Sequence, residues 1–171
     1  MNGPAFKSMQ DAGINYKLNY GVELPRIKDI AAGYQKNSDF ASSLWKQDVR
    51  ECKILAALVQ PVEEFLPDMA DLWVEQTEFP DLAEICSMYL YSKMKDASTS
   101  AFKWMADGRD MFQYCGFLTM AHLLKQGREI NERYLSEFLD QATVAMAGSA
   151  VFPAQGAKVA MNCYRDFYGK E

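Results

Sequence analysis

The sequence is poor in the residues on which several common enzyme mechanisms depend. Its 171 residues include one histidine, His122, which lies in an apolar run and is interpreted as a buried, hydrogen-bonded side chain instead of a catalytic base. Neither a GxxxxGK[ST] nor a GxGxxG pattern occurs, so these two phosphate-binding loops are excluded. The four cysteines lie far apart without a CxxC pair, which argues against a zinc site or a disulfide framework. We therefore expect no bound metal and no cofactor.

Long apolar runs are also missing. No segment is long enough to cross a bilayer, and residues 1–8 contain no apolar signal-peptide core. The 49% hydrophobic and 13% aromatic content favours a folded chain over a disordered one, and the length suits one core. We therefore predict a single domain over residues 1–171, located in the cytoplasm and without membrane contact.

Basic residues are absent between Lys53 and Lys93, where eight acidic side chains occur. The net charge of −5 argues against strong, indiscriminate DNA binding, because phosphate neutralisation needs lysine and arginine. The average conceals an asymmetry. Residues 1–60 carry eight basic and six acidic side chains, whereas residues 61–171 carry ten and seventeen. The acidic stretch itself is interpreted as a solvated helix face.

What the sequence does contain is helical periodicity, and strand signals are almost absent. Proline suits the first turn of a helix at Pro25, Pro61 and Pro80, and Ser38 and Asn131 can cap helices. The predicted helices span residues of about 24–35, 38–46, 48–60, 61–76, 80–94, 98–106, 110–125, 131–148 and 150–168. The sequence thus predicts antiparallel helix pairs with short connections.

The pairs recur with a period of about 33–36 residues, which is typical of HEAT-like or armadillo-like repeats. The predicted fold class is therefore an all-α superhelix of such pairs. Four cysteines fall in the second helix of a pair, where a small apolar side chain suits the contact between stacked helices. These are Cys52, Cys86, Cys115 and Cys163, and we interpret them as packing residues instead of reactive thiols.

Two polar clusters are candidate phosphate contacts, because the second helices of such pairs normally line a concave face. One cluster contains Lys46, Arg50 and Lys53, at and just before the start of the third predicted helix. The other contains Lys158, Asn162 and Arg165, which are spaced along one face of the last helix. The alternative is that these are ordinary surface side chains without a ligand.

Three segments carry a resemblance to a known family: residues 20–32, the Leu44-Trp45 pair and residues 49–58. Together they resemble the opening of the bacterial alkylpurine DNA glycosylases, which are DNA alkylation repair enzymes built from HEAT-like repeats. The resemblance extends from about residue 16 to about residue 168. It implies a fold that binds duplex DNA in a concave groove and hydrolyses the N-glycosidic bond of cationic alkylpurines.

The resemblance also implies the position of an active site. In the family, a Trp-Asp-x-x-Asp-like segment opens an inner helix; here Pro80 stands in place of the tryptophan, Asp81 is kept and Glu84 replaces the second aspartate. A second family segment places an arginine where this chain has Tyr114, just before Cys-Gly-Phe-Leu. The implied catalytic residues are therefore Glu84, Asp81 and Tyr114, with Asp81 expected mainly to cap the helix that opens at Pro80.

These replacements predict weak or lost activity. A carboxylate at Glu84 still provides negative charge for an oxocarbenium-like transition state. Pro80 removes an aromatic wall for a cationic base, and Tyr114 removes a cationic clamp. A protein-interaction scaffold without catalysis therefore stands as the alternative function. Family members generally have further N-terminal helices, so an exposed end of the repeat stack that pairs with a second copy is also expected.

Overall fold

The structure, a computed structural model, describes residues 3–11 and 16–169. Within these ranges the chain is α-helical, contains no β-strand and forms one isolated bridge between Leu18 and Val49. The helices are α1 (Gly3–Asp11), α2 (Leu24–Ala32), α3 (Ser38–Trp45), α4 (Arg50–Val59), α5 (Pro67–Glu75), α6 (Pro80–Cys86), α7 (Ala97–Met105), α8 (Asp110–Lys125), α9 (Glu132–Ala147) and α10 (Val151–Tyr168). A 3₁₀ turn, Val62–Glu64, precedes α5, and a π-helical segment, Ser87–Tyr91, continues α6. The all-α prediction is confirmed.

Local sequence explains most helix ends. Asn37 and Asn131 accept hydrogen bonds from the backbone N–H groups of Phe40 and Arg133, so both cap the helices that follow. The single helix predicted over residues 61–76 is wrong. Leu66 is extended with a ψ of 155°, because the ring of the following Pro67 disfavours the helical conformation there, and α5 begins at that proline. Helix α1 was not predicted.

The helices form two layers. Helices α4, α6 with its π-helical continuation, α8 and α10 pack side by side, and we call them the inner layer. Helices α3, α7 and α9 pack in front of α4, α8 and α10 as antiparallel partners, and together with α5 we call them the outer layer. This arrangement confirms the predicted helix pairs.

Inner helices run in the same direction, because their starts contact starts and their ends lie near ends. Near the starts, Arg50 pairs with Asp81, and the rings of Tyr114 and Phe152 lie 5.6 Å apart. Near the ends, the Lys93 ammonium lies close enough to His122 to lower its pKa. The inner layer therefore has one edge made of helix N-termini and an opposite edge made of C-termini.

A core of aliphatic and aromatic side chains lies between the layers. Cys86, Cys115 and Cys163 are buried in it, as predicted, whereas Cys52 is half-buried. Burial raises the pKa of Cys86 to about 12, so this thiol stays protonated and behaves as a small apolar side chain. Among the described residues, no helix is long and apolar enough to cross a membrane.

Helices α7 and α8 approach closely at Gly116. A Cβ atom at this position would lie 2.7 Å from the Met105 backbone nitrogen and 2.8 Å from the Ala101 carbonyl oxygen. Because both groups belong to the backbone of α7, only glycine permits the observed spacing. This glycine lies two residues after Tyr114 and so fixes the position of a candidate site residue.

Candidate functional site

Asp81 lies at the centre of a hydrogen-bonded network at the N-terminal edge of the inner layer. Its Oδ2 accepts from Arg50 Nε at 2.8 Å, and its Oδ1 accepts from the Tyr16 hydroxyl at 2.9 Å. Burial, and then the Asp81 carboxylate, raise the pKa of Tyr16, so the phenol keeps the proton that it donates. The same Oδ1 accepts from the backbone N–H of Leu82 at 2.8 Å. The carboxylate is therefore saturated by partners within the chain.

Two sequence-based expectations change in this network. Asp81 is not the N-cap residue of α6, which is Phe79, although its Oδ1 accepts from the first-turn N–H of Leu82. Arg50 is 5% exposed, and its guanidinium also donates to the Val22 carbonyl at 2.9 Å and to Glu51 at 3.2 Å. A guanidinium enclosed in this way has no free face for a phosphate. Its role here is to tie α4 to α6, in place of the predicted DNA contact.

Glu84 occupies a different environment, one turn further along α6. It is exposed on the inner layer, and its Oε1 accepts a hydrogen bond from the Tyr114 hydroxyl at 2.9 Å. Burial, and then the Glu84 carboxylate, raise the pKa of Tyr114, so the phenol is a donor at neutral pH. The structure thus brings these two predicted site residues together.

The aromatic side chains near this pair are held by the protein itself. The ring of Phe79 lies 4.5 Å from that of Tyr16, and the ring of Tyr114 lies 5.6 Å from that of Phe152. Tyr114 is 4% exposed. Pro80, in the position of the family's tryptophan, supplies no π-face. Among the described residues, Glu84 therefore provides the carboxylate that the resemblance implies, but Pro80 provides no exposed aromatic ring beside it.

Lys53 is half-buried and already has partners. Its Nζ donates to the Trp45 carbonyl at 2.8 Å and lies 4.7 Å from the centre of the Trp45 ring. Burial lowers the pKa of Lys53. Together with Lys46 and Phe79 it lines a cleft of about 200 Å³ between α4 and α6. The Lys53 ammonium therefore satisfies a carbonyl at the C-terminal end of α3 and also lines a small polar cleft.

The second predicted cluster is open to solvent. Lys158, Asn162 and Arg165 are all exposed along α10. Within the part of the chain that the structure describes, neither Lys158 nor Arg165 forms an ion pair. These three side chains are therefore available to a ligand.

A row of basic side chains, which the sequence did not reveal, crosses α2, the π-helical segment with the turn after it, and α8. Lys28 of α2 and Lys93 lie 5.2 Å and 5.8 Å from the centre of the Tyr89 ring. Burial, and then the ammonium groups of Lys125 and Lys93, lower the pKa of His122. We call Lys28, Tyr89, Lys93, His122 and Lys125 the basic strip. It continues towards α10, because Lys125 also lies near Cys163.

The lysines of the basic strip are exposed, and none of them forms an ion pair within residues 3–11 and 16–169. His122 is half-buried and neutral at neutral pH, because its pKa is lowered. Helix C-termini favour cations, which explains part of the placement of Lys93 and Lys125. At the opposite edge of the inner layer, Glu51 and Asp81 are paired with Arg50. The unpaired lysines of the strip therefore lie towards the C-terminal edge, whereas these charges at the N-terminal edge compensate one another.

Comparison with known proteins places these features in a family context. The profile of the family described as DNA alkylation repair enzyme matches residues 3–146. A solved structure described as a new family of proteins related to the HEAT-like repeat DNA glycosylases, with affinity for branched DNA structures, matches with a TM-score of 0.86. The sequences are 18% identical, and the match covers 95% of this chain and 70% of that one. The predicted HEAT-like fold is thereby confirmed. A comparison with curated proteins gave no significant match.

Proposed function

Because the chain belongs to the DNA alkylation repair enzyme family, we propose that it binds DNA across its inner layer, with the basic strip as its phosphate-contacting surface. The observation that carries this proposal is the row of exposed, unpaired lysines that crosses α2, the π-helical segment and α8. Lys158, Asn162 and Arg165 extend the surface along α10. Arg50 is left out of these contacts because it is enclosed by Asp81 and Glu51.

The negative net charge is compatible with this proposal. Binding to phosphate depends on the cations that reach the backbone, and each neutralised phosphate releases condensed counterions. Glu51 and Asp81, at the opposite edge of the inner layer, are already paired with Arg50 and so do not repel a ligand on the strip.

The form of the DNA is proposed from the structural neighbour. That protein is described as having affinity for branched DNA structures, and we extend this preference to the present chain. A curved or branched backbone can contact lysines on several successive helices, whereas a straight duplex contacts fewer of them. The free energy gained from the additional phosphate contacts thus offsets the free energy needed to distort the nucleic acid.

Base release is proposed to be weak or absent. Glu84 retains a carboxylate that can stabilise an oxocarbenium-like transition state and orient water. Tyr114 holds one of its oxygens by a neutral hydrogen bond at 2.9 Å, in place of a cationic partner. Since Pro80 offers no aromatic face, a cationic alkylpurine lacks the stacking partner that would hold it beside Glu84.

Removing the charges of the strip tests the proposed interface. The double substitution Lys93→Gln and Lys125→Gln should weaken binding to all duplex sequences alike. It should also lower the slope of log K against log salt concentration by about two units, because each phosphate contact contributes about 0.9. Fluorescence anisotropy across a salt series measures both quantities.

Lys103→Gln is the matched control for that experiment. Lys103 is a 65% exposed lysine of the outer layer and pairs with Asp71, so its loss should leave the slope unchanged. An equal effect of the control and the double variant would contradict the assignment. Absence of DNA binding at low salt would reject the proposed function.

Residual catalysis should depend on Glu84. If wild-type protein releases 7-methylguanine from alkylated DNA, Glu84→Gln should slow release by about 10²-fold, because one charged transition-state contact is lost. DNA affinity and helix content should stay unchanged, since Glu84 is exposed. Chromatographic quantification of the released base under single-turnover conditions measures the effect.

Glu75→Gln serves as a control for this prediction, since Glu75 is a 60% exposed carboxylate of the outer layer. Release that is indifferent to Glu84→Gln would show that the site residues implied by the family resemblance are misplaced.

A protein-interaction scaffold is the second candidate function, and one observation favours it. A pocket of about 320 Å³ lies between α7, α8 and the start of α9, with Phe102, Met120, Ile130 and Tyr134 in its wall. Such a pocket can take an apolar side chain of a partner. A protein partner or a second copy in the absence of any DNA affinity would favour this reading.

A further inference from the structure

The π-helical segment Ser87–Tyr91 interrupts the regular geometry of the inner layer beside the basic strip. Insertions of this kind shift the side chains that they carry out of the register of an α-helix, and they occur frequently at functional sites. Here the segment leaves Met88 44% exposed, although its neighbours Ser87 and Leu90 are fully buried. An unbranched apolar side chain is therefore presented to solvent next in the chain to Tyr89 of the basic strip.

Tyr89 stands next to this methionine and is fixed in place. Its ring is half-buried and packs against the core. The ammonium groups of Lys28 and Lys93 lie 5.2 Å and 5.8 Å from the ring centre, and they come from two different elements. A half-buried aromatic ring with two exposed lysines beside it resembles the arrangement by which proteins stack a base and hold its flanking phosphates.

We propose that Met88 and Tyr89 recognise the branch point of a DNA junction, with Tyr89 stacking on an unpaired base and Met88 packing against the opened base step. The proposal rests on the proposed DNA-binding function and assigns its structural selectivity to two residues. Lys28 and Lys93 then turn from the ring to the phosphates on either side of that base.

The chemistry of a junction explains why this element distinguishes it from linear duplex. In an intact duplex every base face is covered by its neighbours, so Tyr89 finds nothing to stack on without unstacking a step. At a branch point the end of each arm exposes a base face, and apolar wedges such as methionine insert at steps that are already opened. The bases at a junction are thus already unstacked before the protein binds, so binding does not have to unstack them.

Selectivity is measured by comparing a three-way junction with a linear duplex of equal length at one salt concentration. Tyr89→Leu should lower the ratio of junction to duplex affinity by about 5- to 150-fold, which is the range for one base–aromatic stack. Met88→Ala should also lower the ratio of junction to duplex affinity. Tyr89→Phe should leave this ratio unchanged, because phenylalanine keeps the aromatic ring. Duplex affinity should change little in Met88→Ala and Tyr89→Phe, and in Tyr89→Leu it should fall by a smaller factor than junction affinity, because Tyr89 belongs to the basic strip.

Tyr134→Leu provides the matched control, because Tyr134 is a 52% exposed tyrosine of the outer layer. A second readout uses 2-aminopurine at the branch point, whose fluorescence the wild type and Tyr89→Phe should quench and Tyr89→Leu should not. The quenching of 2-aminopurine reports base stacking directly. Met88 is exposed, so Met88→Ala should not disturb the core.

The outcomes separate this inference from the function on which it rests. Unchanged junction-to-duplex ratios in Tyr89→Leu and Met88→Ala, with DNA binding intact, would overturn the inference and leave the proposed function standing. Failure of the wild type to bind either DNA at low salt would overturn both. A parallel loss of junction and duplex affinity would show that the residues contribute only to general binding, which also overturns the inference.

Discussion

Replacing Arg50 by alanine should lower the free energy of unfolding by about 3–5 kcal/mol, because it leaves the Asp81 carboxylate without its cation in a low-dielectric site. Arg50 is 5% exposed and donates to Asp81 at 2.8 Å, to Val22 at 2.9 Å and to Glu51 at 3.2 Å. The variant removes three contacts that join α4, α6 and the segment before α2. Urea unfolding followed by circular dichroism measures the loss.

The matched control is Arg109→Ala, which breaks two surface pairs, one with Glu75, which is 60% exposed, and one with Asp107, which is 26% exposed. Pairs of this kind contribute about 0–1 kcal/mol, since water solvates both partners. The same two variants also test the earlier interpretation of Arg50 as a phosphate contact. Unchanged stability with weaker DNA binding in Arg50→Ala would restore that interpretation.

Gly116→Ala should destabilise the protein by about 1–3 kcal/mol or more, because the added Cβ collides with backbone that cannot turn away. The Met105 nitrogen and the Ala101 carbonyl oxygen lie 2.7 Å and 2.8 Å from its ideal position. To accept the methyl group, α7 and α8 must separate, and the packing around Tyr114 must loosen. Thermal unfolding of the variant shows the loss as a lower midpoint temperature.

Gly108→Ala is the comparison for this substitution. No atom lies within 4 Å of a Cβ at Gly108, and its φ is not in the left-handed region. It should therefore change stability little. Equal stability of the two variants would mean that the helices do not approach as closely as described.

Sequence patterns predicted the helices well where local chemistry determines them. Asn131 caps α9 and Pro80 begins α6, and both effects arise within a few residues of the helix end. The continuous helix across Pro67 was predicted in error, since the pattern of apolar residues outweighed the effect of a proline on its preceding neighbour. The π-helical segment left no recognisable signal, because it depends on how α6 packs against its neighbours.

The candidate site was predictable only in part, for a different reason. Glu84 and Tyr114 came from the family resemblance, and the structure places them in contact. Arg50 was misassigned because a sequence does not distinguish an enclosed guanidinium from an exposed one. The basic strip was missed because its members, from Lys28 to Lys125, come together only when α2, the π-helical segment and α8 have packed. His122 was interpreted as a buried residue and not as a neighbour of lysines.

The common direction of the inner helices has a consequence for how a ligand arrives. With unpaired lysines at one edge and mutually compensated charges at the other, the inner layer is electropositive on one side, and this field acts before any contact is made. An approaching polyanion is turned so that the edge bearing Lys93 and Lys125 reaches it first. A larger fraction of encounters then occurs in the binding orientation, so the arrangement raises the association rate. The dissociation rate is set by short-range contacts. Stopped-flow rates measured at several salt concentrations would separate the two.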